Sequence, residues 1–198
     1  MNTIERVIKR TFDFWLALGS LIFFSPIIAV IAILIRREEP EGDVIFRQER
    51  IGYKGKPFTL YKFRSMRMDA EGDGTPQLYQ DNDSRLTKIG AFIRSHHLDE
   101  FPQLWNVVKG EMAFVGPRPE RKFFIDQIMQ RNPDYARLYA LRPGLFSYAT
   151  LYNGYTDTMD KMLERLRLDL EYLDNYSLWF DIKIIFLTAF SIIFGKKF

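Results

Sequence analysis

The hydrophobic pattern of the chain begins with one long apolar run, residues 14–35, which reads FWLALGSLIFFSPIIAVIAILI. About 20 apolar residues are enough for a helix to cross a bilayer. Ser25-Pro26 interrupts this run near its middle, and proline removes a backbone donor and clashes with the preceding turn. We therefore predict a helix that breaks at Ser25-Pro26, where the Ser25 hydroxyl can bond a freed carbonyl.

The charges on either side of the run bear on how it meets a membrane. Lys9 and Arg10 precede it, and Arg36 and Arg37 follow it. Because basic residues mark cytoplasmic flanks, this arrangement favours a hairpin that enters and leaves one membrane face. A kinked transmembrane helix and a core helix of a soluble protein stay open as alternatives. A signal peptide is not expected, since no small-residue cleavage site follows the run.

The remaining pattern predicts an α+β fold, mostly helical with one small β-hairpin. Residues 44–50 and 57–66 are β-compatible and separated by Gly52 and Gly55, which favours that hairpin. The polar residues 69–85 predict a mobile loop. Helices are predicted over six segments: Thr87 (cap) to Ser95, about Glu100 to Lys109 with a stop at Gly110, about 120–130, the segment opened by Asn132-Pro133, 156–176, and 178–194.

The last of these segments, 178–194, is strongly apolar but contains Asp181 and Lys183. That pattern is typical of an amphipathic helix lying in the membrane interface rather than crossing it. We therefore divide the chain into a membrane-anchoring hairpin, residues 1–37, and one further domain, residues 38–198, which carries this interfacial helix.

Composition narrows the class of protein. At 198 residues the chain has room for one domain with a core, and its net charge of +3 argues against nucleic acid as a partner. It contains no cysteine, which excludes a disulfide framework and a cysteine metal site and fits a cytosol-facing protein. Aromatic residues make up 16% and cluster near the apolar segments, as a membrane interface favours.

Two adjacent carboxylates, Asp99 and Glu100, stand just before Pro102, a residue tolerated in a first helical turn. A helix N-terminus favours negative charge, so we expect Asp99 to stay ionised, as a nucleophile must. One or two carboxylates with substrate phosphates are a usual Mg²⁺ site. The structural alternative is that Asp99 only caps the helix and Glu100 is only a first-turn acid.

Several cations are candidates for binding an anionic group near these carboxylates. Lys62 and Arg64 lie two residues apart and so share a strand face. Arg94 precedes Asp99 by five residues, and Arg118 stands between Pro117 and Pro119. Each has a structural alternative: a solvated strand face for Lys62 and Arg64, a surface charge for Arg94, and a simple turn for Arg118. His96-His97 lacks a third histidine or a cysteine, so a metal site there is disfavoured.

Taken in order, these segments resemble the monotopic phosphoglycosyl transferases, a bacterial sugar transferase family. The matching segments span nearly the whole chain: Lys9-Arg10-Thr11-Phe12-Asp13, Ser25-Pro26, Gly42 to Gly52, Tyr61 to Met66, Leu98-Asp99-Glu100, Pro102-Gln103-Leu104, Asn106 to Met112, Val115 to Pro119, Arg142-Pro143-Gly144, and Ser177 to Lys183. Any one of them is weak, but the ordered set is highly specific.

The resemblance implies that Asp99 attacks the β-phosphate of a UDP-sugar and releases UMP. The covalent phosphosugar–aspartyl intermediate then reacts with a polyprenyl phosphate, typically undecaprenyl phosphate, which starts a polysaccharide or glycoconjugate. It also implies that Glu100 binds Mg²⁺, that Arg94 holds a phosphate, and that Arg118 with Pro117 and Pro119 contacts the nucleotide end. The implied location is the cytoplasmic face of the bacterial inner membrane, in contact with its lipids.

The chain departs from the family pattern in one segment. After Arg-Pro-Gly many members read Ile-Thr-Gly-Trp-Ala-Gln-Val, whereas residues 145–151 read LFSYATL. This departure leaves the identity of the transferred sugar open. The preferred polyprenol and the oligomeric state, a homodimer included, are open as well. Two rival hypotheses remain: a non-enzymatic membrane adaptor, which leaves Asp99-Glu100 unexplained, and a polytopic transferase in which residues 14–35 and 178–194 both cross the membrane.

Overall fold

The structure, a computed structural model, describes residues 3–70, 83–154 and 156–193. It is mainly helical with two small two-stranded sheets, which confirms the α+β class. The α-helices are α1 (Thr3–Phe23), α2 (Ser25–Glu38), α3 (Lys88–Ser95), α4 (Gln103–Lys109), α5 (Lys122–Arg131), α6 (Tyr148–Asn153), α7 (Met159–Asp174) and α8 (Leu178–Ile193). The strands are β1 (Ile45–Ile51), β2 (Pro57–Phe63), β3 (Ala113–Val115) and β4 (Gly144–Phe146), and 3₁₀ turns cover Tyr53–Gly55, Leu98–Glu100 and Pro133–Ala140.

The apolar N-terminal run breaks where the proline predicts. α1 and α2 meet at an angle of 61°. The Ser25 hydroxyl donates to the carbonyl of Ile22 at 2.7 Å, which satisfies one carbonyl that the break frees. None of the described helices is by itself both long and apolar enough for a membrane span, although the bent pair together has the length and composition.

The basic residues ahead of this run are used inside the protein. Arg10 donates to the carbonyls of Val107 and Val108 at 2.6 and 2.8 Å, at the C-terminal end of α4. Lys9 is buried and donates to Asp181 of α8 at 2.7 Å. These ion pairs and hydrogen bonds tie α1 to α4 and α8.

The predicted β-hairpin is confirmed. β1 and β2 pair antiparallel, with Ile45 opposite Phe63 and Ile51 opposite Pro57. β2 ends at Phe63 rather than at residue 66, although the Arg64 amide still donates to Val44 at 2.9 Å. Of the predicted loop 69–85, residues 71–82 lie outside the described part of the chain, and its two flanks meet through the Arg67 amide and the Arg85 carbonyl at 2.8 Å.

The helices after the hairpin start and stop largely at their sequence signals. Thr87 accepts from the Gly90 amide at 2.8 Å and caps α3, and Gly110, at φ 82°, ends α4. The predicted start of α4 at Glu100 is wrong, because the helix begins at Gln103. The chain reverses at His97 (φ 56°), forms a 3₁₀ turn, and resumes helical bonding only after Pro102, which has no amide proton to donate.

Four apolar clusters hold these elements together, and the turn between α3 and α4 packs against one of them through Leu98 and Phe101. α1, β2 and α4 share one cluster around Ala17, Leu60 and Val107. α2, β2 and α3 share a second around Ile35 and Phe63. The other two clusters join α5 to α7 and β3 to α8. β3 pairs parallel with β4, Ala113 opposite Gly144.

Candidate active site

The two carboxylates lie in the 3₁₀ turn that connects α3 to α4. Asp99 is buried and Glu100 is partly exposed. The residue before the turn, His97, has a left-handed backbone (φ 56°), a conformation that non-glycine residues adopt at a cost and that clusters at functional sites. The turn brings Asp99 and Glu100, hereafter the dyad, against the end of β2 and the segment after β3.

Glu100 is held by two cations from distant parts of the chain. Its Oε1 accepts from Lys62 Nζ at 3.0 Å and from Arg118 Nη2 at 2.8 Å. Burial alone would raise the pKa of Glu100, but Arg118 and Lys62 outweigh burial and hold that pKa well below its usual range. Glu100 is therefore a permanent negative charge that fixes the two cations beside Asp99.

Asp99 has a different environment from its neighbour. Its Oδ2 lies 3.8 Å from Lys62 Nζ, and its Oδ1 is buried without a hydrogen-bond partner. Burial raises the pKa of Asp99, Lys62 opposes that rise, and the Glu100 charge adds to it. The reason expected to keep Asp99 ionised, a place at a helix N-terminus, does not hold, because Asp99 precedes α4 and burial raises its pKa. That Asp99 acts in its ionised form stays a prediction.

The dyad opens into a large cavity of about 840 Å³. Its wall includes most of the residues predicted from the sequence, namely Lys62, Arg64, Arg94, Asp99, Glu100, Arg118 and Pro119. Pro117 is buried instead, and its carbonyl accepts from the Gly144 amide at 2.9 Å, which joins the Gly-Pro-Arg-Pro segment to β4. The cavity thus brings Lys62, Arg94 and Arg118 to the same wall as the dyad.

The predicted cations reach the cavity from different elements. Lys62 pairs with the dyad, whereas Arg64 lies 3.6 Å from Glu39 at the end of α2 and donates to Met68. Arg64 packs against Gly42 so closely that a Cβ there would lie 1.5 Å from the guanidinium. Arg94 lies near enough to Asp99 to lower its pKa against the effect of burial. Lys62, Arg64 and Arg94 therefore all line one cavity, although Lys62 pairs with Glu100 and Arg64 lies near Glu39.

A second buried ionic cluster lines the same cavity and was missed by sequence reasoning. Glu120 pairs with Arg50 at 2.6 Å and with Arg165. Burial alone would raise the pKa of Glu120, but Arg165 and Arg50 lower it to about 2. The cluster joins β1, α7 and the segment that carries Arg118.

The sequence did contain a signal for part of this cluster. Met162 and Leu166 belong to the apolar stripe of α7, and Arg165 and Asp169 fall on the same helical face. Both charged residues are buried, and Asp169 accepts from Ser147 at 3.0 Å. Burial raises the pKa of Asp169 to about 7, against the effect of Arg165. Charged residues inside the apolar stripe of a helix predict buried ion pairs or a functional site.

The two histidines do not assemble a metal site. His96 is exposed and packs on Phe92 with ring centroids 4.5 Å apart, and His97 lines the cavity, where burial lowers its pKa. Within residues 3–70, 83–154 and 156–193, no group of three His, Cys, Asp or Glu side chains could hold a metal ion. Mg²⁺ needs fewer protein ligands, because one or two carboxylates can hold it together with substrate phosphates. The dyad meets that need, since Glu100 stands beside the buried, unpartnered Oδ1 of Asp99.

Comparison with known proteins identifies the family of the chain. A sequence model described as bacterial sugar transferase matches residues 4–195. The chain is 42% identical to a UDP-glucose:undecaprenyl-phosphate glucose-1-phosphate transferase of Escherichia coli, over 96% of this chain and 41% of that protein. It is 50% identical to a putative undecaprenyl-phosphate N-acetylgalactosaminyl 1-phosphate transferase of Bacillus subtilis, over 66% of this chain and 72% of that protein.

A third relative matches along nearly its full length. The chain is 37% identical to the exopolysaccharide production protein PSS of Rhizobium leguminosarum, over 95% of this chain and 96% of that protein. By contrast, the chain spans less than half the length of the Escherichia coli relative. The family match and these identities together show that the chain is a transferase enzyme of the bacterial sugar transferase family.

Proposed function

We propose that the protein transfers a sugar phosphate from a UDP-sugar to polyprenyl phosphate, with release of UMP and through a covalent intermediate on Asp99. The observation that carries this proposal is the dyad on a cavity wall that also carries Lys62, Arg94 and Arg118, with one buried Asp99 oxygen left without a partner. The relatives' names, which specify UDP-glucose and undecaprenyl phosphate, support the substrate classes. A non-enzymatic adaptor would have no use for such a carboxylate pair.

In the first step the Asp99 carboxylate attacks the β-phosphorus of the UDP-sugar. A bond forms between the carboxylate oxygen and phosphorus, and the bond from that phosphorus to the bridging oxygen breaks, so UMP leaves with the bridging oxygen. Lys62 and Arg118 are already fixed by Glu100 at 3.0 and 2.8 Å, and Arg94 lines the same cavity. Arginine pairs well with phosphate oxygens because its donors form a planar fork.

In the second step a phosphate oxygen of the polyprenyl phosphate attacks the same phosphorus. The bond between phosphorus and the Asp99 oxygen breaks, the carboxylate is regenerated, and a polyprenyl diphosphate sugar is released. This is covalent catalysis with ping-pong order. Burial of Asp99 keeps water from the intermediate, which water would otherwise hydrolyse. The product is the first lipid-linked unit of a polysaccharide or glycoconjugate.

Mg²⁺ is the cofactor that we propose, with Glu100 as its protein ligand beside the nucleophile Asp99. When bound, Mg²⁺ supplies charge neutralisation at the diphosphate. Glu100 would then share its charge among the metal, Lys62 and Arg118.

We further propose that α1 and α2 form a re-entrant hairpin in the cytoplasmic leaflet, as the bend of 61° supports. Large apolar side chains are exposed along this pair, Trp15 and Phe23 among them, and α8 exposes Trp179 and Phe186 to about the same extent. Exposed apolar surface of this size marks a membrane or protein contact. The lipid acceptor carries its phosphate at headgroup level, so this placement brings the acceptor to the cavity.

Single-cysteine labelling tests the hairpin, because the parent chain has no cysteine. We expect Thr3→Cys and Glu41→Cys to react with a membrane-impermeant maleimide from the same side of sealed vesicles. Lys122→Cys, on the exposed part of α5, marks the side of the main domain. If Thr3→Cys and Glu41→Cys were labelled from opposite sides, the helix pair would cross the membrane and the re-entrant proposal would fail.

The raised pKa of Asp99 predicts an unusual pH dependence of catalysis. Only the ionised carboxylate is a nucleophile, and burial raises the pKa of this group. We therefore expect kcat/KM for UMP release to fall on acidification with a midpoint above about 3.9, the ordinary value for aspartate. The measurement is kcat/KM from pH 4 to 9 in the presence of Mg²⁺. A profile that stays flat down to pH 4 would contradict this environment for Asp99.

The reaction itself is tested with purified protein, Mg²⁺, undecaprenyl phosphate and four donors: UDP-glucose, UDP-galactose, UDP-N-acetylglucosamine and UDP-N-acetylgalactosamine. We expect sustained UMP release with at least one donor. Without the acceptor, we expect a burst of at most one UMP per protein chain. Sustained turnover without any such burst would argue for direct transfer between the substrates. Absence of UMP from every donor, with an active relative as positive control, would overturn the proposed reaction.

A further inference from the structure

The cavity wall contains a group of neutral polar residues that the proposed chemistry does not use. Gln103, Thr150 and Thr188 all line the cavity, from α4, α6 and α8 respectively. Each carries a buried polar atom without a hydrogen-bond partner, namely Gln103 Nε2, Thr150 Oγ1 and Thr188 Oγ1. Buried polar groups are nearly always hydrogen-bonded, so three such atoms on one cavity wall require an explanation.

Other hydroxyls on the same wall are already engaged. Ser147 donates to Asp169 at 3.0 Å, and Thr156 accepts from Arg165 at 3.1 Å. Thr150 and Thr188 therefore differ from their neighbours in lacking a partner within the described chain. The helices that carry them, α6 and α8, pack against each other, and both residues line the same cavity.

The chemistry of these side chains selects the kind of ligand. A hydroxyl both donates and accepts a hydrogen bond, and a glutamine amide adds further donors and an acceptor. A diphosphate is better matched by the cations near the dyad, and a polyprenyl chain offers no hydrogen bonds at all. Neutral hydroxyl and amide groups match hydroxyls, each of which also donates and accepts. The donor carries hydroxyls on its sugar and on its ribose, and because the nucleotide end is assigned to the Arg118 segment, we place the sugar here.

The position of Thr150 in the chain also favours a contact with the donor sugar. Thr150 lies within residues 145–151, the segment in which this chain departs from the family pattern, and it stands where that pattern has glutamine. This segment is the one in which the sequence leaves the donor sugar open, and Thr150 brings an unpartnered hydroxyl from it to the cavity.

From these observations we infer that Thr150, with Thr188 and Gln103, forms a subsite that hydrogen-bonds hydroxyls of the donor sugar and sets donor preference. This inference rests on the proposed transferase function and adds to it a residue that determines specificity. A site that hydrogen-bonds a substrate hydroxyl discriminates strongly against an analogue that lacks it, because the buried partner is then left unpaired.

The test combines a protein change with a donor change. Thr150→Val removes the hydroxyl with little change in volume, and a series of deoxy analogues of the preferred UDP-sugar removes one sugar hydroxyl at a time. For the parent protein we expect one analogue to lose about tenfold or more in kcat/KM relative to the full donor. For Thr150→Val we expect that ratio to shrink below about twofold, while UMP release continues, because the two changes remove the same hydrogen bond.

Thr156→Val is the matched control, because it makes the same change at a hydroxyl that already has a partner. We expect it to alter stability or overall rate without changing the ratio between donors. If Thr150→Val lowered kcat/KM equally for every donor and analogue, or changed nothing, the subsite would be wrong even though UMP release persisted. Loss of UMP release from the parent protein with all donors would instead overturn the underlying function, so the two failures are distinct.

Discussion

Replacing Asp99 with asparagine is expected to lower the rate of UMP release by at least about 10³-fold. The substitution keeps the size of the side chain but removes the nucleophile, and loss of a nucleophile typically costs several orders of magnitude. Mass spectrometry of the parent, quenched after addition of donor without acceptor, should show a chain heavier by one sugar phosphate. The variant should show no such adduct.

Loss of activity in Asp99→Asn should not come from unfolding. A folded-state pKa raised above the unfolded value means that the ionised carboxylate destabilises the folded protein at neutral pH. Removing that charge should leave the melting temperature unchanged or higher. Asp126→Asn, the same change at an exposed aspartate of α5, is the matched control and should keep full activity. If Asp99→Asn turned over as fast as the parent, the aspartyl mechanism would be wrong.

Glu120→Gln is expected to have the largest effect on stability, a loss of about 3–5 kcal/mol in the free energy of unfolding. The change removes the negative charge shared by Arg50 and Arg165 and leaves two cations in a buried cluster. Chemical denaturation at neutral pH measures the loss. Glu164→Gln, the same change in an exposed ion pair with Arg167, should cost less than about 1 kcal/mol.

The pH dependence of this effect follows from the direction of the pKa shift. The pKa of Glu120 is lowered to about 2, below its unfolded value of about 4.3, so ionised Glu120 stabilises the folded state. That contribution is fully present above pH 4.3 and is lost as the pH falls towards 2. The gap between parent and Glu120→Gln should therefore narrow on acidification. A gap that is independent of pH between 7 and 3 would show that packing, rather than charge, explains the loss.

The local elements of the fold could be predicted from sequence because their signals are local. Pro26 fixes the break between α1 and α2, Thr87 caps α3, and Gly110 ends α4 with a positive φ. The start of α4 was missed because two signals compete there. The acids before Pro102 favour a first helical turn, but the left-handed His97 and the missing amide of Pro102 give a 3₁₀ turn instead.

The sequence indicated most of the residues that the structure gathers at the cavity, but not their electrostatics. Motif order identified Asp99, Glu100 and their cations, and the structure gathers them around one cavity. The sequence could not show that Lys62, 38 residues away, holds Glu100 rather than standing free beside Arg64. It also did not bring Glu120 together with Arg50, 70 residues away, because neither residue carries a local signal for the other.

The sequence by itself determined the α+β class, the broken N-terminal helix, the hairpin and the motif residues, because backbone preferences and hydrophobic periodicity act over a few neighbouring residues. Only the tertiary structure decided the protonation behaviour of the two carboxylates. Asp99 and Glu100 are adjacent in the chain, yet burial raises the pKa of one while Arg118 and Lys62 lower that of the other. A pKa depends on burial and on charges in space, and both are set by packing between residues far apart in the chain.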